Sequence, residues 1–158
     1  MKGMSIIVRT VCHWVSAFIF LYGLCIVVYG HLTPGGGFAG GVILACAFGL
    51  MVLALGKESA VRAFPVGSAS KLDSIGALLF LIIAILGLFA GGGFFVNFLQ
   101  KQHPGEEMAL FNAGIIPLCN IAIAIKVCAS LFLAVVVFSV LRVVGGGSDD
   151  EFASEEEE

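Results

Sequence analysis

The chain has 158 residues, 59% of them hydrophobic and 12% charged, with a mean hydropathy of +1.09. Soluble domains carry about 25% charged residues, so this chain cannot cover a water-facing surface, and lipid is its main solvent. Its length allows one compact domain and excludes a separate catalytic module. The net charge of −3 is local: seven of the 11 acidic side chains fall in residues 148–158, and the rest of the chain is basic. Its few Lys and Arg are scattered at the ends of apolar runs, a pattern unlike that of a nucleic-acid-binding protein.

The first apolar run covers residues 6–29. It is longer than the roughly 7–15 residues of a signal-peptide core and reads as a retained transmembrane helix, since about 20 apolar residues span a bilayer. Arg9 and His13 share one face at its start, Arg9 as an interfacial cation and His13 as a structural histidine.

The run then enters Tyr29-Gly30-His31-Leu32-Thr33-Pro34-Gly35-Gly36-Gly37-Phe38-Ala39-Gly40-Gly41. Pro34 suits a turn or the first helical position, and a simple turn would not need so many glycines. From here the spacing is helical. Gly37, Gly41, Ala45 and Gly49 recur every four residues, and Gly36 with Gly40 adds a second pair, giving a smooth stripe for close helix packing. His31 and Thr33 stand at the mouth of this hairpin, as turn anchors or as the inlet of an ion path.

The second span covers residues 38–55, and residues 56–70 connect it to a third span of residues 74–99. Asp73 is expected as the N-cap of that third helix, its carboxylate accepting free backbone N–H groups. Residues 100–112 form the opposite loop. The fourth span, residues 117–141, opens with Pro117. The glycines Gly145–Gly147 close the membrane domain, residues 1–144, and the acidic tail, residues 145–158, is expected to be disordered.

Lys126 stands nine residues beyond Pro117, roughly 13 Å into the fourth helix. A charge near the bilayer centre costs about 2.5–3.5 kcal/mol and calls for a partner. None of the spans as bounded here holds a carboxylate in its core. The expectation is therefore a partner from another subunit, a neutral amine, or a polar neighbour such as Asn97. Asn120, six residues earlier, lies about 240° around the helix and so on a different face from Lys126.

The five cysteines form no C-x-x-C pair and read as small apolar packing residues, with no metal or redox centre. Lys2, Arg9, Lys57, Arg62, Lys71 and Arg142 flank one set of span ends, against Lys101 on the other. This bias puts both termini in the cytoplasm. The fold class is an all-α integral membrane protein of four transmembrane helices.

The stretch Tyr29–Gly41 resembles the signature of the B subunit of multisubunit cation/proton antiporters, the MrpB/MnhB type. Ala113-Gly114-Ile115-Ile116-Pro117-Leu118-Cys119-Asn120, followed by Lys126-Val127, resembles that family's second hallmark, and the resemblance covers about residues 3–143. It implies a small, cofactor-free, non-catalytic, multi-pass subunit of the cell membrane. Such a subunit sits among antiporter-type large subunits and small helical subunits in an assembly that exchanges Na⁺ for H⁺. Related modules in membrane-bound hydrogenases and similar respiratory complexes make a redox-driven ion pump the alternative, and a purely structural assembly role a further one. Small homodimeric exporters rely on a carboxylate in their first span, which this chain lacks. By match of position the resemblance carries over Lys126, Asn120, Pro117 and the hairpin Pro34, Gly35, Gly36, Gly37, Phe38, Gly40 and Gly41. Lys126, Asn120, His31 and Thr33 are the candidates for an ion path or a subunit bridge, and the hairpin residues for helix packing.

Overall fold

In hydrocarbon a backbone must satisfy its own polar groups, so apolar runs of this length fold as helices. A computed structural model describes residues 5–99 and 113–155. Its helices are α1 (Ile6–Val28), α2 (Gly36–Leu55), α3 (Lys57–Ala63), α4 (Val66–Gly91) and α5 (Ile116–Glu155). Four of them, α1, α2, α4 and α5, are long and apolar enough to cross a membrane.

The four spans stand as an open row rather than a closed bundle. Their order in space is α1, α2, α5, α4, with α2 and α5 packed on both sides and α3 folded against the end of α2. Burial follows that order: the apolar windows of α1 and α4 are each 17% buried, against 39% for α2 and 33% for α5. Both outer helices thus leave most of their surface to lipid or to other polypeptides.

Small residues set the closeness of the row. At Gly40 an added Cβ would lie 2.5 Å from Val27 Cγ2, and at Gly41 it would lie 2.9 Å from the Ala124 carbonyl oxygen. The glycine pair thus lets α1 press on one side of α2 and α5 on the other, gaining the dispersion contacts that drive helix association in lipid. Lower down, an aromatic cluster takes over. Phe48 packs edge-on against Phe20 at 5.9 Å, stacks on Phe64 at 5.0 Å and meets Phe132 at 5.7 Å. Phe132 is fully buried and joins α2, α5 and the α3–α4 corner.

Three boundaries differ from the sequence reading. The third spanning helix begins at Val66 on Pro65 and ends at Gly91, where Gly92 takes a left-handed φ of 75°; it does not run on as one helix to residue 99. Its first turns are built from Gly67, Ser68, Ser70 and Lys71, residues that hydropathy assigns to a connector although their backbone is helical. Within the connector, residues 57–63 also form a helix. Finally, α5 continues through Gly145–Gly147 to Glu155, where a disordered tail was expected. No proline follows Pro117 to interrupt it, and Glu and Ala favour helix locally. Residues 100–112, with the opposite-side Lys101, lie outside the described residues, as does Lys2.

Candidate ion-path site

Two polar assemblies interrupt the apolar row, one at the mouth of the glycine hairpin and one within the spans.

The first closes the N-terminus of α2. A helix start leaves N–H groups without intrahelical partners, and the N-cap here, Gly35, has no side chain to offer. The acceptor comes from α5: the N–H of Gly37 donates to Asn120 Oδ1 at 3.2 Å. This is possible because Gly37 has no Cβ. An added one would lie 2.7 Å from Asn120 Cα and 2.8 Å from its carbonyl carbon. Asn120 is 9% exposed, and its Nδ2 is enclosed with no hydrogen-bond partner among the described residues. Both ring nitrogens of the half-buried His31 are likewise enclosed and unbonded among the described residues. Thr33 is exposed and donates its hydroxyl to the Tyr29 carbonyl at 3.0 Å, an anchor for the end of α1. Pro34 and Phe38 are exposed on the rim, and Pro117 occupies the first turn of α5, where its missing N–H costs nothing.

The second assembly lies between α4 and α5. Lys126 Nζ donates to Asp73 Oδ1 at 3.0 Å and to Ser130 Oγ at 2.8 Å, and Ser130 donates its hydroxyl to the same carboxylate oxygen. Gly76, three residues beyond Asp73, makes the approach possible: an added Cβ would lie 2.8 Å from both Lys126 N and Lys126 Cβ. The amine and carboxylate are open on one side, with 45% of the Lys126 side chain and 33% of the Asp73 side chain exposed.

This corrects two expectations. Asp73 is not an N-cap; it sits inside α4, two turns beyond the helix start at Val66. Lys126 does not wait for a partner from another subunit, because this chain supplies the counter-charge. The shared cause is the early start of α4, which carries Asp73 into the span. The signals were Pro65 as a helix start and Asp73 with Gly76 on one face, but apolar content marks where lipid begins rather than where a helix does. Asn97, offered as a partner for Lys126, bonds elsewhere. Its Nδ2 donates to the Ala113 carbonyl at 3.0 Å and its Oδ1 accepts from Ile115 N–H at 3.1 Å, clamping the start of α5 to the segment that follows α4. The expectation that Asn120 and Lys126 use different faces is met: Asn120 faces α2 and Lys126 faces α4. The five cysteines are free thiols.

Residues 7–146 match the family model described as a domain related to the MnhB subunit of the Na⁺/H⁺ antiporter. An uncharacterized protein of Methanocaldococcus jannaschii is 36% identical over 142 residues, covering 87% of this chain and 53% of its own length. The present chain thus spans about half of that relative. A Staphylococcus aureus protein named as an antiporter subunit, mnhB2, is 37% identical over 123 residues, covering 73% of this chain and 86% of its own. Among solved structures, a chain of the membrane-bound sulfane sulfur reductase, an archaeal respiratory membrane complex, superimposes with a TM-score of 0.71 and 31% identity. That match covers 89% of this chain and 59% of the other.

Proposed function

The chain belongs to the family of the MnhB subunit of Na⁺/H⁺ antiporters, multi-pass subunits of membrane complexes rather than enzymes in themselves, and on that premise we propose that it forms one wall of an ion path at the Lys126–Asp73–Ser130 cluster. One observation carries this reading. An ion pair with its amine and carboxylate part-exposed joins two helices that are each long and apolar enough to cross a membrane. Charged groups in spans are tolerated where they face protein or a water-filled cavity, not lipid. The open side of the cluster therefore meets a neighbouring subunit or water. A hydroxyl shared between an amine and a carboxylate offers a proton-exchange chain, and the carboxylate offers oxygen ligands to a cation. The family relation supports Na⁺ and H⁺ as the transported ions.

The end of the row bearing Lys57, Arg62 and Lys71 is the cytoplasmic one in this reading, by the positive-inside bias. The membrane is then the cell membrane, and the neighbours are antiporter-type large subunits and small helical subunits.

The test is the assembled complex in sealed vesicles, with Lys126→Met, Asp73→Asn and the double change Lys126→Met with Asp73→Leu. The expected result is loss of coupled ion exchange in all three while the double variant, which leaves no lone charge in the span, assembles normally. Full exchange activity in a normally assembled double variant sinks the proposal and leaves a purely structural subunit.

A second reading places the same subunit in a redox-driven ion pump. It is favoured by the match to a chain of a respiratory membrane complex. Mild detergent extraction separates the two: peripheral redox subunits co-purify in the second case and are absent in the first.

A further inference from the structure

Away from the Lys126 cluster, the other end of the row carries a pocket that the ion path does not use. It is shallow, about 300 Å³, and is lined by Arg9, Thr10, His13 and Trp14 on the first turns of α1 and by Leu55 at the end of α2. At roughly 30 Å³ per water it has room for about ten water molecules, enough for a phosphate ester.

Three kinds of N–H donor line it. Arg9 offers a planar guanidinium fork, suited to bidentate phosphate binding. His13, one turn further along the same face, offers its imidazole, and Trp14 an indole N–H. None of the three side chains is engaged by a hydrogen bond or an ion pair among the described residues. Thr10, by contrast, already donates its hydroxyl to the Ile6 carbonyl at 3.0 Å. Among the described residues, no carboxylate lines the pocket. Arg9 is the fourth residue of a 23-residue spanning helix, so the pocket sits at the boundary where hydrocarbon gives way to headgroups. Trp14, 63% exposed, places an amphipathic ring at that same level.

We propose that the Arg9–His13–Trp14 pocket binds the phosphate ester of an anionic phospholipid headgroup. The guanidinium and imidazole grip the phosphate oxygens, and the acyl chains lie along the apolar flank of α1. An annular lipid held in this way fixes the outermost helix of the row, whose apolar window is only 17% buried.

The chain has a single tryptophan, so Trp14 fluorescence reads the pocket directly. The full-length chain is reconstituted in nanodiscs of phosphatidylcholine with an increasing fraction of phosphatidylglycerol, and Trp14 emission is followed. A saturable change is expected in the parent protein. In Arg9→Gln with His13→Gln the half-saturating fraction should rise about tenfold, the loss expected when charge-assisted hydrogen bonds are removed. Lys57→Gln removes a cation of the same end that lies outside the pocket, and should leave the curve unchanged. Lipid retained by the purified chain, measured by native mass spectrometry, should fall in the double variant alone. Equal curves for the parent and double variants overturn the proposal. An equal loss in Lys57→Gln does so too, since it marks attraction to the whole basic surface. A response to inorganic phosphate in pure phosphatidylcholine discs, with none to phosphatidylglycerol, overturns the lipid assignment in favour of a soluble phosphate.

Discussion

The four-residue glycine repeat of α2 makes opposite demands at its two ends, and alanine at each end tests them. At Gly37 an added Cβ meets backbone of α5, 2.7 Å from Asn120 Cα and 2.8 Å from its carbonyl carbon. Carbon atoms pack best at about 3.5–4.0 Å, so α2 and α5 must part by about 1 Å, and no rotamer change relieves a backbone clash. Overpacking of this kind costs about 1–3 kcal/mol. The same movement stretches the 3.2 Å bond from Gly37 N–H to Asn120 Oδ1 beyond useful length, forfeiting about 0.5–1.5 kcal/mol. Set against these is a helix-propensity gain of at most about 1 kcal/mol. The net destabilisation is about 0.5–4.5 kcal/mol, a drop in Tm on the order of 5 °C for a chain of this size. At Gly49 no atom lies within 4 Å of the added Cβ, so only the propensity gain remains and Tm should hold or rise. The assay is thermal unfolding of the detergent-purified chain, followed by size-exclusion recovery after heating. A Gly37→Ala Tm equal to or above that of Gly49→Ala refutes the close approach of α2 to α5.

Three further outcomes follow from the same contacts. Gly114→Ala should destabilise by more than a typical glycine change, because φ is +63° there and the added Cβ would lie 2.8 Å from Asn97 Cγ; thermal recovery of purified protein checks it, and Gly67→Ala, with open space around it, is the control. Phe132→Ala should cost about 2 kcal/mol, read as a Tm shift; the side chain is fully buried, but in lipid the loss is mainly of packing rather than of transfer from water. Asn120→Leu leaves the Gly37 N–H without its acceptor in a buried place, a cost of about 1–3 kcal/mol; faster hydrogen exchange at the start of α2, with the rest of the helix unchanged, is the expected signature.

Much of the fold was legible because the bilayer is a blunt reader of sequence. Four apolar runs interrupted by glycine, proline and charge leave the backbone no option but four spanning helices. The same bluntness hid the site. Hydropathy reports how much lipid a segment tolerates, and Val66–Leu72 tolerates little while folding as helix all the same. Bounding the third span by hydropathy placed Asp73 at a cap, and Lys126 then had no counter-charge to find. The glycine stripe was visible as spacing. Which of its members meets Ala124, which meets Asn120 and which meets nothing depends on how α2 and α5 cross.

The sequence by itself determined the solvent, the number of spans and the positions where helices come close, because composition and four-residue spacing act within one chain segment. The tertiary structure decided the partners: Asp73 for Lys126, Asn120 for the head of α2, Asn97 for the start of α5, and an open row in place of a closed bundle. These are contacts between residues 16 to 83 positions apart. Such pairs are set by the register and rotation of one helix against the next, quantities that no local pattern encodes.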